Sequence, residues 1–291
     1  MSPPNIWLLA SEQKAALAEL AGLAVSLMEA RKVSLWAHRA QKALSAEVEM
    51  AQHYMDRLLR SSGLDRPNVQ HLVLPAGSFS GDVIGATMTP DGHFMAILAD
   101  VTGHGLGSAL YSIPMMEAFY NMAAKGCRLS VICRELNSKL KRMLPPGHFV
   151  AGALVSIDET RGEVAVWNGG APPVLVADDA GNIAALAQSR HVALGIHADA
   201  AFDDTVDVVG YSGPCELLMY SDGLPEAENQ GGEAFGDYRI RNALREGTRS
   251  ASHFDRTVAA LRAFLGTAVA HDDVSILGIR IGRSGYLGNS G

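Results

Sequence analysis

The chain has 291 residues, of which 48% are hydrophobic, 19% charged and 6% aromatic, and its formal net charge is −7. That composition suits a globular protein with room for one large domain plus an extension, or for two modest domains. The acidic balance excludes the basic footprint that nucleic acid or an anionic membrane surface demands, so neither is expected as a partner. Three cysteines, Cys127, Cys133 and Cys215, form no CxxC pair. A disulfide framework and a thiolate metal site are therefore both unexpected, and a reducing cytoplasm is the natural compartment. The opening MSPPNIWLLASEQKAA has no basic stretch and only a short apolar run, and no segment of about eighteen uninterrupted apolar residues follows.

From Ser11 to Arg60 the chain reads as helix, rich in Ala, Leu, Glu, Lys and Gln, with Gly22 its one glycine and no proline. Leu44, Val48, Ala51, Met55 and Leu58 recur at alternating four- and three-residue steps, the seam of a coiled coil. A second seam at Leu17, Leu20, Ala24 and Leu27 is out of register with the first, and ARKVSLW lies between them, so a bend or a helical hairpin is compatible. Packing on the chain's own globular part and dimerisation fit the seam equally well. SSGLDRPN breaks the pattern with Gly63 and Pro67. The expected organisation is an N-terminal helical linker or regulatory region over 1–62, a main domain over 63–283 and a flexible tail over 284–291.

Strands are expected in VQHLVLPAG, GDVIGATMT and HFMAILADV, the last two joined by a Pro90-Asp91-Gly92 turn. Two amphipathic helices follow, near Gly105–Ala124 and Leu129–Met143. Six further strands come next, FVAGALVSID, EVAVWNGG, PVLVADD, IAALA, TVDVV and CELLMYSD. Helices near Asp237–Arg245 and His253–Phe264 precede a closing strand, DDVSILGIRIG. Strands in hairpin order broken by paired helices predict sheet packed on sheet with helices outside, an α+β protein.

Four aspartates share one placement, at or beside a strand end among small residues: Asp82, Asp100, Asp222 and Asp272, the last with Asp273 as neighbour. Singly, each reads as a turn, as Asp91-Gly92 and Asp178-Asp179 do. Together at one rim they would repel, by about 4 kcal/mol for a pair 4 Å apart at an effective dielectric near 20. Bound cations relieve that repulsion, and all-oxygen ligands select Mg²⁺ or Mn²⁺. Two such ions sharing a carboxylate would activate water against a phosphoryl group. Gly103 and Gly105 let the backbone turn tightly beside them, with a carbonyl free to ligate.

SGDVIGA, LADVTGHGLGSAL, NGGAPPVLV, LGI, LMYSDGLPEAENQGGEAFG and HDDVSILGI stand in the order and spacing of bacterial PPM-type (PP2C-like) serine/threonine phosphatases. Over roughly Glu47–Ile281 the chain resembles their SpoIIE/RsbU type. The resemblance implies an αββα sandwich of two mainly antiparallel sheets flanked by helices, holding two Mn²⁺ or Mg²⁺ ions. It implies that Asp100 bridges the ions, that the Val101 carbonyl ligates one, and that Asp222 and Asp272, rather than Asp273, complete the other. Asp82 would hold metal-bound water, and His104 reads as a turn histidine that hydrogen-bonds locally.

Two departures accompany the match. An aromatic and a second acid usually follow the first Asp where this chain has Val83 and Gly85, and a histidine usually stands where it has Ala171. AQHYMDRLLRSSG resembles the helix that leads into such domains, with Leu58 and Leu59 as its contacts. The implied activity is removal of phosphate from Ser or Thr of a partner-switching regulator in stress signalling, an anti-sigma-factor antagonist of STAS type. A degenerate domain that binds such a partner without turnover is the alternative.

Overall fold

The computed structural model describes residues 6–59, 63–103, 105–245, 251–268 and 270–282. By its contacts the chain divides into two units, Met1–Tyr54 and Met55–Gly291. A single helix, α1 (Ile6–Leu59), runs through the first, with neither bend nor hairpin at Ala30–Trp36. No glycine or proline beyond Gly22 interrupts it, so nothing in the backbone forces a break. Its apolar side chains at Leu17, Leu20 and Leu27 are exposed. The expected boundary at residue 62 and the tail over 284–291 lie outside the described residues.

Among its described residues the second unit has ten strands, β1 (Val69–Leu74), β2 (Asp82–Met88), β3 (Phe94–Val101), β4 (Val150–Asp158), β5 (Glu163–Gly169), β6 (Val174–Asp178), β7 (Ile183–Ala187), β8 (Asp207–Gly210), β9 (Cys215–Tyr220) and β10 (Val274–Ile281). They form two five-stranded sheets, ordered β1-β10-β9-β6-β7 and β2-β3-β4-β5-β8, and every strand pair is antiparallel. The helices are α2 (Leu106–Ala124), α3 (Leu129–Met143), α4 (Gly223–Glu226), α5 (Gly236–Arg245) and α6 (His253–Leu265). The short α4 was not expected, because an Asp-Gly pair after a strand reads as a plain turn.

Alternation along the strands sorts side chains into three cores. Between the sheets, Phe94, Ala96 and Leu98 of β3 and Ile84 and Ala86 of β2 meet Leu217 and Met219 of β9 and Leu277 and Ile279 of β10. The opposite face of β3, Met95, Ile97 and Ala99, packs under Met115, Met116 and Phe119 of α2 and Ile132, Leu136 and Leu140 of α3. On the far side, Leu218, Tyr220 and Ile276 pack under Ile240, Leu244, Phe254 and Leu261 of α5 and α6. The result is the αββα sandwich.

Where the chain enters this unit, Gly63 lies against β2. A Cβ there would sit 2.1 Å from the Ala86 carbonyl oxygen, so only glycine fits.

Candidate active site

The even-numbered residues of β2 and β3 face the opposing sheet, and the same parity carries Asp82 and Asp100 to that side at the strand ends. They are direct cross-strand partners in the β2–β3 register. Two carboxylates so paired have Cβ atoms only about 5 Å apart. Asp82 is buried and Asp100 half-buried. From the other sheet, Asp222 leaves β9 as the N-cap of α4, and Asp272 precedes β10. Both are exposed.

Burial is the main cause pushing Asp82 up to about 8, and the Asp100 and Asp273 charges add to it, while the hydroxyls of Ser275 and Ser221 pull it down. Asp100 is pushed up to about 7 by burial first, then by the charges of Asp222, Asp272 and Asp273. Asp222 is raised by burial and by Asp272. The structure thus brings together all four predicted carboxylates at one rim, close enough to perturb one another. The Oδ2 atom of Asp82 is buried with no hydrogen-bond partner.

A cleft of about 620 Å³ opens on this rim, lined by Ala76, Phe79, Asp100, Gly103, Gly105 and Asp272 among others. Gly103 and Gly105 take φ of 94° and 83°, left-handed values that favour glycine. Between them His104 lies outside the described residues. Gly81 crosses closely behind: a Cβ there would sit 2.9 Å from the Val101 carbonyl oxygen and 3.5 Å from Asp100 Oδ1.

Among the described residues no three His, Cys, Asp or Glu side chains already form a cage for an ion. The donor set nonetheless fits a hard cation in two respects. It is all oxygen, and its two most buried carboxylates favour the protonated state until a positive charge offsets them.

Reading from the sequence missed Ser221 and Ser275, which flank Asp82. The signal was present, since both continue the inward parity of Leu217–Met219 and Leu277–Ile279. It also missed the 76–79 segment as a wall of the cleft. Ala171 is buried in the inter-sheet core, and the Asn168 side chain shapes its turn, donating to the Pro172 carbonyl at 2.9 Å and accepting from the Ala171 N–H at 3.2 Å.

The Stage II sporulation protein E (SpoIIE) family matches residues 90–282, about two thirds of the chain. The phosphoserine phosphatase RsbP of Bacillus subtilis (strain 168) is 25% identical over 164 residues, 55% of this chain and 40% of that protein. The chain therefore matches well under two thirds of that relative's length. The solved SiaA-PP2C domain of Pseudomonas aeruginosa superposes with a TM-score of 0.72 at 23% identity, over 83% of this chain and 98% of that one. The catalytic domain of the serine/threonine protein phosphatase PstP, solved with two manganese ions, gives a TM-score of 0.52 at 13% identity, over 73% and 98%. At such identities the structures speak for the fold, and the family match covers the strands and loops that carry Asp100, Asp222 and Asp272. The chain belongs to the SpoIIE family and carries its PP2C-type phosphatase fold.

Proposed function

We propose that the chain is a metal-dependent phosphoprotein phosphatase that removes phosphate from Ser or Thr of a partner-switching regulator, an anti-sigma-factor antagonist of STAS type. The observation that carries the reading is the cross-strand pair Asp82–Asp100, with Asp222 and Asp272 facing it across the rim. Such crowding destabilises a fold and is retained where cations use it. In this reading Asp100, the Val101 carbonyl, Asp222 and Asp272 would hold two Mn²⁺ or Mg²⁺ ions, and Asp82 would hold water beside them. When bound, the ions supply Lewis-acid charge and a water nucleophile to a phosphoryl group. The chain's own part is to hold that centre beside an open cleft of about 620 Å³.

Residues 1–62 serve as a linker or regulatory segment, residues 63–283 as the phosphatase domain and 284–291 as a tail, and α1 offers a seam for a homodimer. Among the described residues no helix is long and apolar enough to cross a membrane. The proposed place of work is the cytoplasm. A second reading, binding without turnover, draws on the departures at Val83, Gly85 and Ala171. Purified chain with Mn²⁺ should hydrolyse both para-nitrophenyl phosphate and a phosphorylated STAS-domain protein, and EDTA should stop both. Tight binding of the phosphoprotein with no Mn²⁺-dependent hydrolysis would establish the second reading instead.

A further inference from the structure

The two adjacent aspartates before β10 do different things. Counting back by twos from the inward residues Ile279 and Leu277 leads to Ser275 and then Asp273, so Asp273 points between the sheets while Asp272 does not. Asp273 is 7% exposed. Both its oxygens are engaged by backbone of the β1–β2 connection: Oδ1 accepts from the Ala76 N–H at 2.7 Å, and Oδ2 from the Gly81 N–H at 2.6 Å. Those short, charge-assisted bonds reach across nearly two hundred residues of sequence and pin both ends of the segment that walls the cleft. Gly81 in turn precedes Asp82, accepts from the Val101 N–H at 3.3 Å, and lies against the Val101 carbonyl and the Asp100 carboxylate.

We propose that Asp273 is a positioning residue: its carboxylate clasps the β1–β2 connection and so sets Gly81, and through it Asp82 and the Val101 carbonyl, at the spacing the ions require. With both oxygens committed, Asp273 acts as a clasp and Asp272 as the ligand. The inference rests on the two-metal reading, and it adds a residue whose work is geometric.

Calorimetric titration with Mn²⁺ of the whole chain and of two variants tests it. Asp273→Asn offers one acceptor where two are needed, and it also removes a charge. Ala76→Pro keeps the charge and deletes one of the two donors, at an exposed position that leaves the packed cores alone. The Mn²⁺ Kd should weaken tenfold or more in Asp273→Asn and at least threefold in Ala76→Pro, and kcat at saturating Mn²⁺ should fall in both. A residue that only stabilised the fold would lower the melting temperature in EDTA and leave Kd and kcat unmoved. Unchanged Mn²⁺ affinity in folded Ala76→Pro overturns the clasp, whether or not Asp273→Asn folds. Absence of Mn²⁺ binding by the parent chain would overturn the two-metal reading itself, and the clasp with it.

Discussion

Replacing Asp100 by Asn separates what the site costs the fold from what it does with ions. Asp100 is raised from 3.8 to about 7, chiefly by burial and then by three neighbouring carboxylates. A shift of about 3 units corresponds to roughly 4 kcal/mol between the charged and neutral forms. Partial exposure screens this, so about 2 kcal/mol is the expected gain of metal-free stability at pH 8 on removing the charge. For a domain of this size that is a rise of about 4 to 8 °C in melting temperature.

The pH dependence follows from the direction of the shift. A carboxylate whose folded value lies above its unfolded value destabilises the fold only once the unfolded chain ionises. The gain from Asn should therefore vanish below about pH 4, grow as pH climbs and level off above about pH 7. No hydrogen bond to the Asp100 carboxylate is lost among the described residues, so the amide enters at little cost. With Mn²⁺ at a hundredfold over its Kd the parent should gain about 2.7 kcal/mol, and the variant should gain much less and turn over at under a tenth of the parent rate. Melting scans in EDTA and in Mn²⁺ at pH 4, 6 and 8 measure all of this. A lower melting point for the variant in EDTA at pH 8, or equal Mn²⁺ stabilisation of both proteins, would refute the argument.

Three further outcomes are expected. In EDTA the parent should lose on the order of 2 kcal/mol between pH 6 and pH 8, because the unfolded chain is ionised there while Asp82, raised to about 8, still keeps its proton in the fold, and Mn²⁺ should reverse the trend; denaturant titration at each pH reads it. Glu216→Gln should cost about 1 to 3 kcal/mol and leave the Mn²⁺-dependent rate unchanged, because the buried Glu216 carboxylate accepts the His253 and Phe254 N–H groups at the start of α6, on the far side of the sheet from the cleft. Gly85→Asp should fail to strengthen Mn²⁺ binding and should lower stability by about 3 kcal/mol or more, since a Cβ at Gly85 would meet Met116 Cε at 2.1 Å and the Tyr120 hydroxyl at 2.6 Å.

Strand positions and the acids at strand ends were legible because both depend on local pattern. Runs such as FMAILADV declare a strand buried on both faces, and an aspartate at its exit among glycines has no use in a turn of that kind. Less legible was which face each acid takes, because that depends on register. Asp272 and Asp273 are chemically identical in the sequence, and one residue of parity leaves the first exposed in the cleft and turns the second between the sheets. Ser221 and Ser275 escaped notice for the same reason, being ordinary residues until the two sheets are stacked. The 76–79 wall was out of reach of any local rule, since what holds it is a carboxylate far along the chain.

Parity also bears on the two departures from the family's usual residues. Val83 and Gly85 are odd-numbered, on the face of β2 opposite to Asp82 and Asp100. Val83 is buried in the core beneath α2 and α3, and Met116 and Tyr120 of α2 close over Gly85. An aromatic or an acid at those places would occupy space that α2 already fills, so their absence is compensated by packing and leaves the inward carboxylates untouched. Ala171 differs, since it stands on the inter-sheet side at the end of β5, in the sheet that carries Asp100, within a turn that Asn168 braces. A methyl there can neither donate a proton nor hold a phosphate oxygen. The acids that would bind the ions are therefore intact, while the place of the family's usual histidine is taken by a methyl buried in the inter-sheet core. In the proposed reading that departure bears on how a phosphate would be held, so it should show in KM and leave the affinity for Mn²⁺ unchanged.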